Sequence, residues 1–220
     1  MSKNYEINKE NRVRQLREKA AYDKDTVHAI LDSALVISAG FVQDGQAVVV
    51  PMIYGREDET IYLHGARKAR IVRLLEQTER VCLNATLVDG IVFARSAFNS
   101  SMNYRSATVF GTPRLVDDRD GKLHGMRIIS EHTMPGRWDE LRESHEKEIK
   151  MTGVIAVDID AASAKISSGM PEDEDEDYDI SIWAGVLPLQ STLTAVQDDE
   201  RLIDGVRPSA AVRALEGKVL

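Results

Sequence analysis

Between Ala34 and Val116 the chain breaks into short β-favouring runs joined by tight turns, with one helical stretch among them. Ala34–Phe41, Ala47–Tyr54, Ile61–Leu63, Arg80–Val88, Ile91–Phe98 and Tyr104–Phe110 are rich in the β-branched and aromatic residues that fit a pleated, half-buried surface. Asp44-Gly45 and Asp89-Gly90 each stand between two such runs and predict hairpin turns. Pro51 has no N–H for a ladder, which places its strand at an edge or at a bulge. A parallel α/β sheet would need a helix after nearly every strand, and those helices are absent. The pattern predicts a mainly β chain, mostly antiparallel, closed into a barrel with flanking helices.

Outside this block the pattern is sparser. Residues 1–24 are polar, with Val13 and Leu16 as an apolar pair at helical spacing, and read as a loosely held helix or arm. Asp25-Thr26 is a candidate N-cap for a short helix over Val27–Asp32. Leu123–His132, stopped by Pro135-Gly136, and Trp138–Lys147 read as helices, and Gly153–Ile159 and Ile180–Leu189 as strands. Residues 191–220 read as a polar tail with at most a short helix over Ser209–Leu215, leaving residues 25–190 as one domain.

Hydrophobic residues make up 43% and charged residues 29%, ordinary proportions for a globular protein. No apolar run is long enough to cross a bilayer, and the N-terminus has no apolar signal core. A lone cysteine, Cys82, excludes an intrachain disulfide and alternates on its strand like a small core residue. These features predict a cytoplasmic setting without a membrane partner. A net charge of −8 argues against a general nucleic-acid binder. Part of that charge is the run Glu172–Asp177, which reads as a solvated loop and lacks the glycine turn of a calcium site.

Chemistry has few places to sit. His28, His64, His124, His132 and His145 show no metal spacing, and no nucleophile elbow, dinucleotide fingerprint or phosphate loop is present. The clearest candidate is Ile61–Leu75, read as strand, small-residue break at His64-Gly65-Ala66, and helix. Arg67, Lys68, Arg70 and Arg73 gather at a helix start, whose unpaired N–H groups and positive dipole end suit a phosphate. The same residues would also serve as the wet face of an ordinary surface helix. A second polar cluster holds Asn103, Arg105 and Ser106. Neighbours on a strand face opposite ways, so Arg105 and Ser106 share a ligand only across a bulge; otherwise Arg105 is a surface residue and Ser106 a core-edge hydroxyl.

Four segments in order, Val50–Gly55, Tyr62–Gly65, Ser101–Ser106 and Trp183–Leu189, resemble the pyridoxamine 5′-phosphate oxidase-like proteins, and more narrowly their flavin-nucleotide-binding branch that includes the nitroimidazole-resistance proteins. The resemblance runs from about Thr26 to Leu189. It implies a split β-barrel, a homodimer with FMN at the subunit interface, and a small-molecule substrate, with a nicotinamide as the candidate electron donor. Carried across, the strand with Pro51, Met52 and Tyr54 borders the flavin ring, and His64 and Gly65 end the next strand beside it. The phosphate pair of the family's oxidases falls on Arg70 and Ile71. The second cation is therefore missing, with Arg67 and Lys68 as candidates to replace it. The polar contact of the later strand falls on Ser106, next to Arg105. The residues that bind pyridoxal phosphate in the oxidases find no match. Because flavin supplies the redox chemistry, the lack of a catalytic triad does not argue against an FMN-dependent oxidoreductase. Two other readings stand beside it: a haem-binding or haem-handling barrel with His64 as axial ligand, and a non-catalytic flavin carrier.

Overall fold

The computed structural model describes residues 3–220. Eight strands and five α-helices are present among them: β1 (Ala20–Ala21), α1 (Lys24–Ser33), β2 (Val36–Gln43), β3 (Gln46–Glu57), β4 (Thr60–Ala66), α2 (Arg70–Gln77), β5 (Val81–Phe93), β6 (Ser101–Val116), α3 (Arg119–Thr133), α4 (Glu146–Met151), β7 (Thr152–Ser167), β8 (Gly185–Pro188) and α5 (Ala210–Arg213). The hydrogen-bonded order is β1-β7-β4-β3-β2-β5-β6, with β8 on β5 and a further pairing of β6 with β7. This is the mostly antiparallel split barrel expected of the sequence.

The chain forms two compact units. One takes residues up to Ala34 with Leu83–Phe110 and Ala161–Gln190; the other takes Leu35–Cys82, Gly111–Asp160 and Ser191–Leu220. In the first, Val27, Ile30 and Leu31 line the buried face of α1, and Leu83, Ala85, Ala107 and Val109 alternate inward from β5 and β6. In the second, Ile37, Tyr54, Ile61, Leu63, Val72, Leu75 and Val154–Val157 are fully buried.

The β2–β3 hairpin forms as expected. Asp44 and Gly45 both take positive φ, 51° and 77°, which matches the twist of the flanking strands, and Gln43 pairs with Gln46. Pro51 pairs with Ser38 of β2, and the β3–β4 register runs from Tyr54↔Leu63 to Glu57↔Thr60, beyond the proline. Pro51 therefore sits on a locally open edge of an inner strand. Gly55 lies within β3. A Cβ there would stand 2.5 Å from the carbonyl oxygen of Ile128, so its bareness lets α3 lie directly on the strand.

Several sequence expectations are corrected. Asp89-Gly90 makes no turn: β5 runs straight through it, because the Asp89 carboxylate is held by Arg105 and Gly90 pairs with Pro188 of β8. The arm before residue 24 is not loosely held. Tyr5 and Asn11 are buried, Asn11 Nδ2 donates to the carbonyls of Glu6 and Ala162, and β1 pairs with β7. The cap of α1 is Asp23, two residues before the expected one, accepting from the Thr26 N–H at 2.8 Å. His64-Gly65-Ala66 continues β4 instead of breaking it. Trp138–Lys147 is no single helix but a 3-10 turn over Trp138–Glu140, an extended stretch, and α4 capped by His145. The last strand is only Gly185–Pro188.

Candidate functional site

The end of β4 and the start of α2 carry most of the candidate residues, and their placement follows from two glycines. Gly65 of β4 lies opposite Gly153 of β7. Cβ atoms on them would meet the two Val72 methyls at 3.1 and 2.6 Å. The glycines thus make the seat into which α2 presses Val72, and that contact brings the basic start of the helix against the strand end. The turn between them is fixed by backbone bonds from Arg67 N–H to Met151 and from Ala69 N–H to Ala66, both 2.7 Å.

Ala69 is the N-cap of α2 and has no side-chain acceptor, so the first N–H groups of the helix gain no cap from it. The four cations around this start differ in their commitments. Arg67 forks onto Glu76 at 3.0 and 3.2 Å, and Arg70 donates to Gln43 Oε1 at 2.6 Å. Lys68 and Arg73 form no side-chain hydrogen bond or ion pair among the described residues. With Arg70, Leu74 and Gln77 they line a shallow open cleft. Ile71 is half-buried beside the inward-facing Val72.

On β4, Ile61 and Leu63 enter the core while Tyr62 and His64 take the other face, in register with Ala156 and Val154. Nδ1 of His64 is buried and has no hydrogen-bond partner. Burial also pushes its pKa below the ordinary 6.5, because the charged imidazolium loses more hydration than the neutral ring. The ring is therefore a neutral imidazole with one unpaired nitrogen. On β3, Pro51 is exposed, Met52 is buried, and Tyr54 is fully buried against the His132 ring, with centroids 4.6 Å apart.

Pro51, Met52, Tyr54, His64, Gly65, Arg67, Lys68, Arg70 and Ile71 all belong to the second unit; Arg105 and Ser106 belong to the first. There Arg105 forks onto Asp89 at 2.9 and 2.7 Å, which raises its pKa through those bonds. Ser106 faces the opposite way and accepts from Asn84 Nδ2 and Thr86 Oγ1, both at 3.1 Å. Asn84 also donates to Thr108 Oγ1 at 3.0 Å, completing a polar ladder across β5 and β6. The i, i+2 spacing of Asn84 with Thr86 and of Ser106 with Thr108 is the signal that would have found it. The sequence reading also missed Asp173. Its side chain is fully buried, accepts from the Arg95 backbone N–H at 2.8 Å, and pairs with the Arg95 guanidinium at 2.9 Å. A position hidden inside a run of acids carries no local signal.

No group of metal-ligating side chains occurs among the described residues, and no helix there is long and apolar enough to cross a membrane. A flavin nucleotide fits what is present at this point: Lys68, Arg70, Arg73 and the uncapped α2 start suit its phosphate.

A family profile described as pyridoxamine 5′-phosphate oxidase matches residues 23–166. Among solved structures, a flavocytochrome, Anf3 of Azotobacter vinelandii, is 33% identical, covers 96% of this chain and 98% of its own, and superposes with a TM-score of 0.90. An FAD- and haem-binding protein of Mycobacterium smegmatis is also 33% identical, over 90% of this chain and 98% of its own, with a TM-score of 0.86. A nitroimidazole antibiotic resistance protein of Bacteroides thetaiotaomicron shares the fold, at 24% identity over 67% of this chain and 86% of its own, with a TM-score of 0.58. Comparison with curated protein sequences finds no match. The profile match over most of the chain and the near-complete relatives at 33% identity show that this protein belongs to the pyridoxamine 5′-phosphate oxidase family of split β-barrels.

Proposed function

We propose that the protein is a flavin-dependent oxidoreductase acting on a small molecule. The observation that carries this reading is the start of α2: a helix N-terminus without a side-chain cap, flanked by Lys68 and Arg73 whose charges have no partner among the described residues. Such a place gains by receiving a phosphate, through both the helix dipole and charge-assisted hydrogen bonds. Arg70 would add a third cation, kept in place by Gln43. A bound flavin supplies the electron or hydride transfer. The chain anchors the phosphate and holds His64 neutral at physiological pH.

FMN is the nucleotide that the sequence resemblance implies. FAD is supported by the M. smegmatis relative, and the mass of the nucleotide released on denaturation separates the two. Arg70→Ala and Arg73→Ala should each weaken flavin retention about tenfold or more, since a hydrogen bond to a charged group contributes roughly 1.5–3 kcal/mol. Unchanged affinity in both variants would remove the phosphate from this site. Reduction of the bound flavin by a nicotinamide donor, with turnover, separates an enzyme from a carrier.

One observation favours a second group as well. A neutral, half-buried His64 would offer an imidazole nitrogen to haem iron, and two relatives at 33% identity are a flavocytochrome and an FAD- and haem-binding protein. Soret absorption in the purified protein, lost in His64→Gln with the flavin bands retained, is the expected signature. The family resemblance, with flavin at a subunit interface, makes the protein a homodimer.

A further inference from the structure

The face of α3 turned away from the sheet presents Arg119, Leu123 and Arg127 at successive turns. Together with Trp138, Leu141 and Arg142 they line a cleft of about 510 Å³. Ligand pockets commonly span roughly 300–1,000 Å³. None of the residues assigned to flavin lines it.

The wall opposite α3 has little regular structure, yet it is stapled along its length. The Glu131 carboxylate accepts from the backbone N–H groups of Gly136 and Trp138, at 2.7 and 3.2 Å. These bonds fix the turn that presents the indole. Glu140 accepts from Arg137 at 2.8 Å and from Ser209 of the C-terminal tail at 2.7 Å. At the far end Glu148 closes the capping box on His145 and grips Arg142 with both oxygens, at 3.0 and 2.5 Å. That grip depresses the Glu148 pKa to about 2, the Arg142 hydrogen bonds being the largest cause. The wall is thus tied to α3 by Glu131 and to α4 by Glu148.

Its three arginines are not equivalent. Arg142 is committed to Glu148, and Arg119 donates Nε to Glu146 at 2.8 Å. Arg127 has one ionic neighbour among the described residues, Asp139 at 3.6 Å, which is beyond hydrogen-bonding distance. Among the described residues its planar fork donates no hydrogen bond and its charge faces Asp139 alone, at the edge of a cleft lined also by an indole, two leucines, His124, Glu143 and Ser144.

We propose that this cleft is a second ligand site, for a small planar aromatic molecule bearing one anionic group. Arg127 receives the anion, Trp138 stacks on the ring, and Leu123 and Leu141 flank it. A nucleoside monophosphate and an aromatic carboxylate share this chemistry, and the test distinguishes them.

The sequence has two tryptophans, so Trp183→Phe leaves Trp138 as the sole indole reporter. The full-length Trp183→Phe protein is titrated with AMP and, separately, with salicylate, following tryptophan emission. A saturable change with one of them is expected and identifies the anion as phosphate or carboxylate. Adding Arg127→Gln should weaken that binding about tenfold, whereas adding Asp139→Asn, which frees the guanidinium, should tighten it a few-fold. Arg73→Ala, at the flavin-phosphate candidate, should leave it unchanged. Thermal melts confirm that each variant is folded. No saturable change with either probe, or equal binding with and without Arg127→Gln, overturns the proposal.

Discussion

At the scale of single residues the decisive feature is desolvation without compensation. His64 is half-buried, and its pKa lies below 6.5 because burial penalises the charged ring. The unfolded chain takes up a proton near pH 6.5, while the folded chain resists it until lower pH. The contribution of His64 to stability is therefore complete above about pH 6.5 and declines as pH falls below it. Melting temperatures recorded between about pH 7.5 and 5.5 should drop more steeply for the native protein than for His64→Gln. Identical slopes would mean that His64 is hydrated and not poised for a ligand. Nothing in the sequence around His64 announces this, since the strand that pairs with it there, at Val154, lies about ninety positions away.

At the scale of elements, legibility followed how local the determining physics was. The dipeptide Asp-Gly occurs twice and gives opposite outcomes. At Asp44-Gly45 nothing competes with the turn, and both residues take the left-handed region. Replacing Gly45, at φ 77°, by alanine should cost about 1 kcal/mol in urea denaturation, the penalty for forcing a Cβ into that region. An unchanged midpoint would mean that the turn relaxes to another type. At Asp89-Gly90 the same letters lie within a continuous strand, because Arg105 captures the carboxylate and β8 lies alongside Gly90. Turn propensity is a local preference, and two long-range contacts outweigh it. The segment Trp138–Lys147 fails as a helix for a similar reason: Glu131 and Glu148 take its backbone and side-chain donors from either end. The basic character of α2 was visible in the sequence. That Arg67 and Arg70 are engaged while Lys68 and Arg73 are not was invisible, because Glu76 and Gln43 become their partners only in the fold.

At the scale of the whole molecule, the barrel was readable from the density of strands and from four short segments in order. The proposed assembly draws on a different feature. On the outer face of the β2–β3 hairpin, Val36 pairs with Ile53 and Val42 with Ala47; Val36, Val42, Val49 and Ile53 are each between 45% and 66% exposed. Contiguous apolar surface on a strand pair favours a protein partner over water, and a second copy of the chain is the partner the proposed function requires. Sedimentation should give a dimer, shifted toward monomer by Val49→Lys with loss of flavin. A monomer that holds stoichiometric flavin would place the cofactor within a single chain.

The bond from Asn11 to the carbonyl of Ala162 spans 151 positions of sequence. Chains grow at about 5–20 residues per second, so Asn11 waits roughly 8–30 s for Ala162 to be synthesised. Through that interval the segment around Tyr5 and Asn11 is available to chaperones and proteases, and its docking belongs to the closing phase of biogenesis. Slowing the ribosome between the codons for Asn11 and Ala162 should therefore lower the yield of intact protein, while the equilibrium stability of what is recovered stays the same.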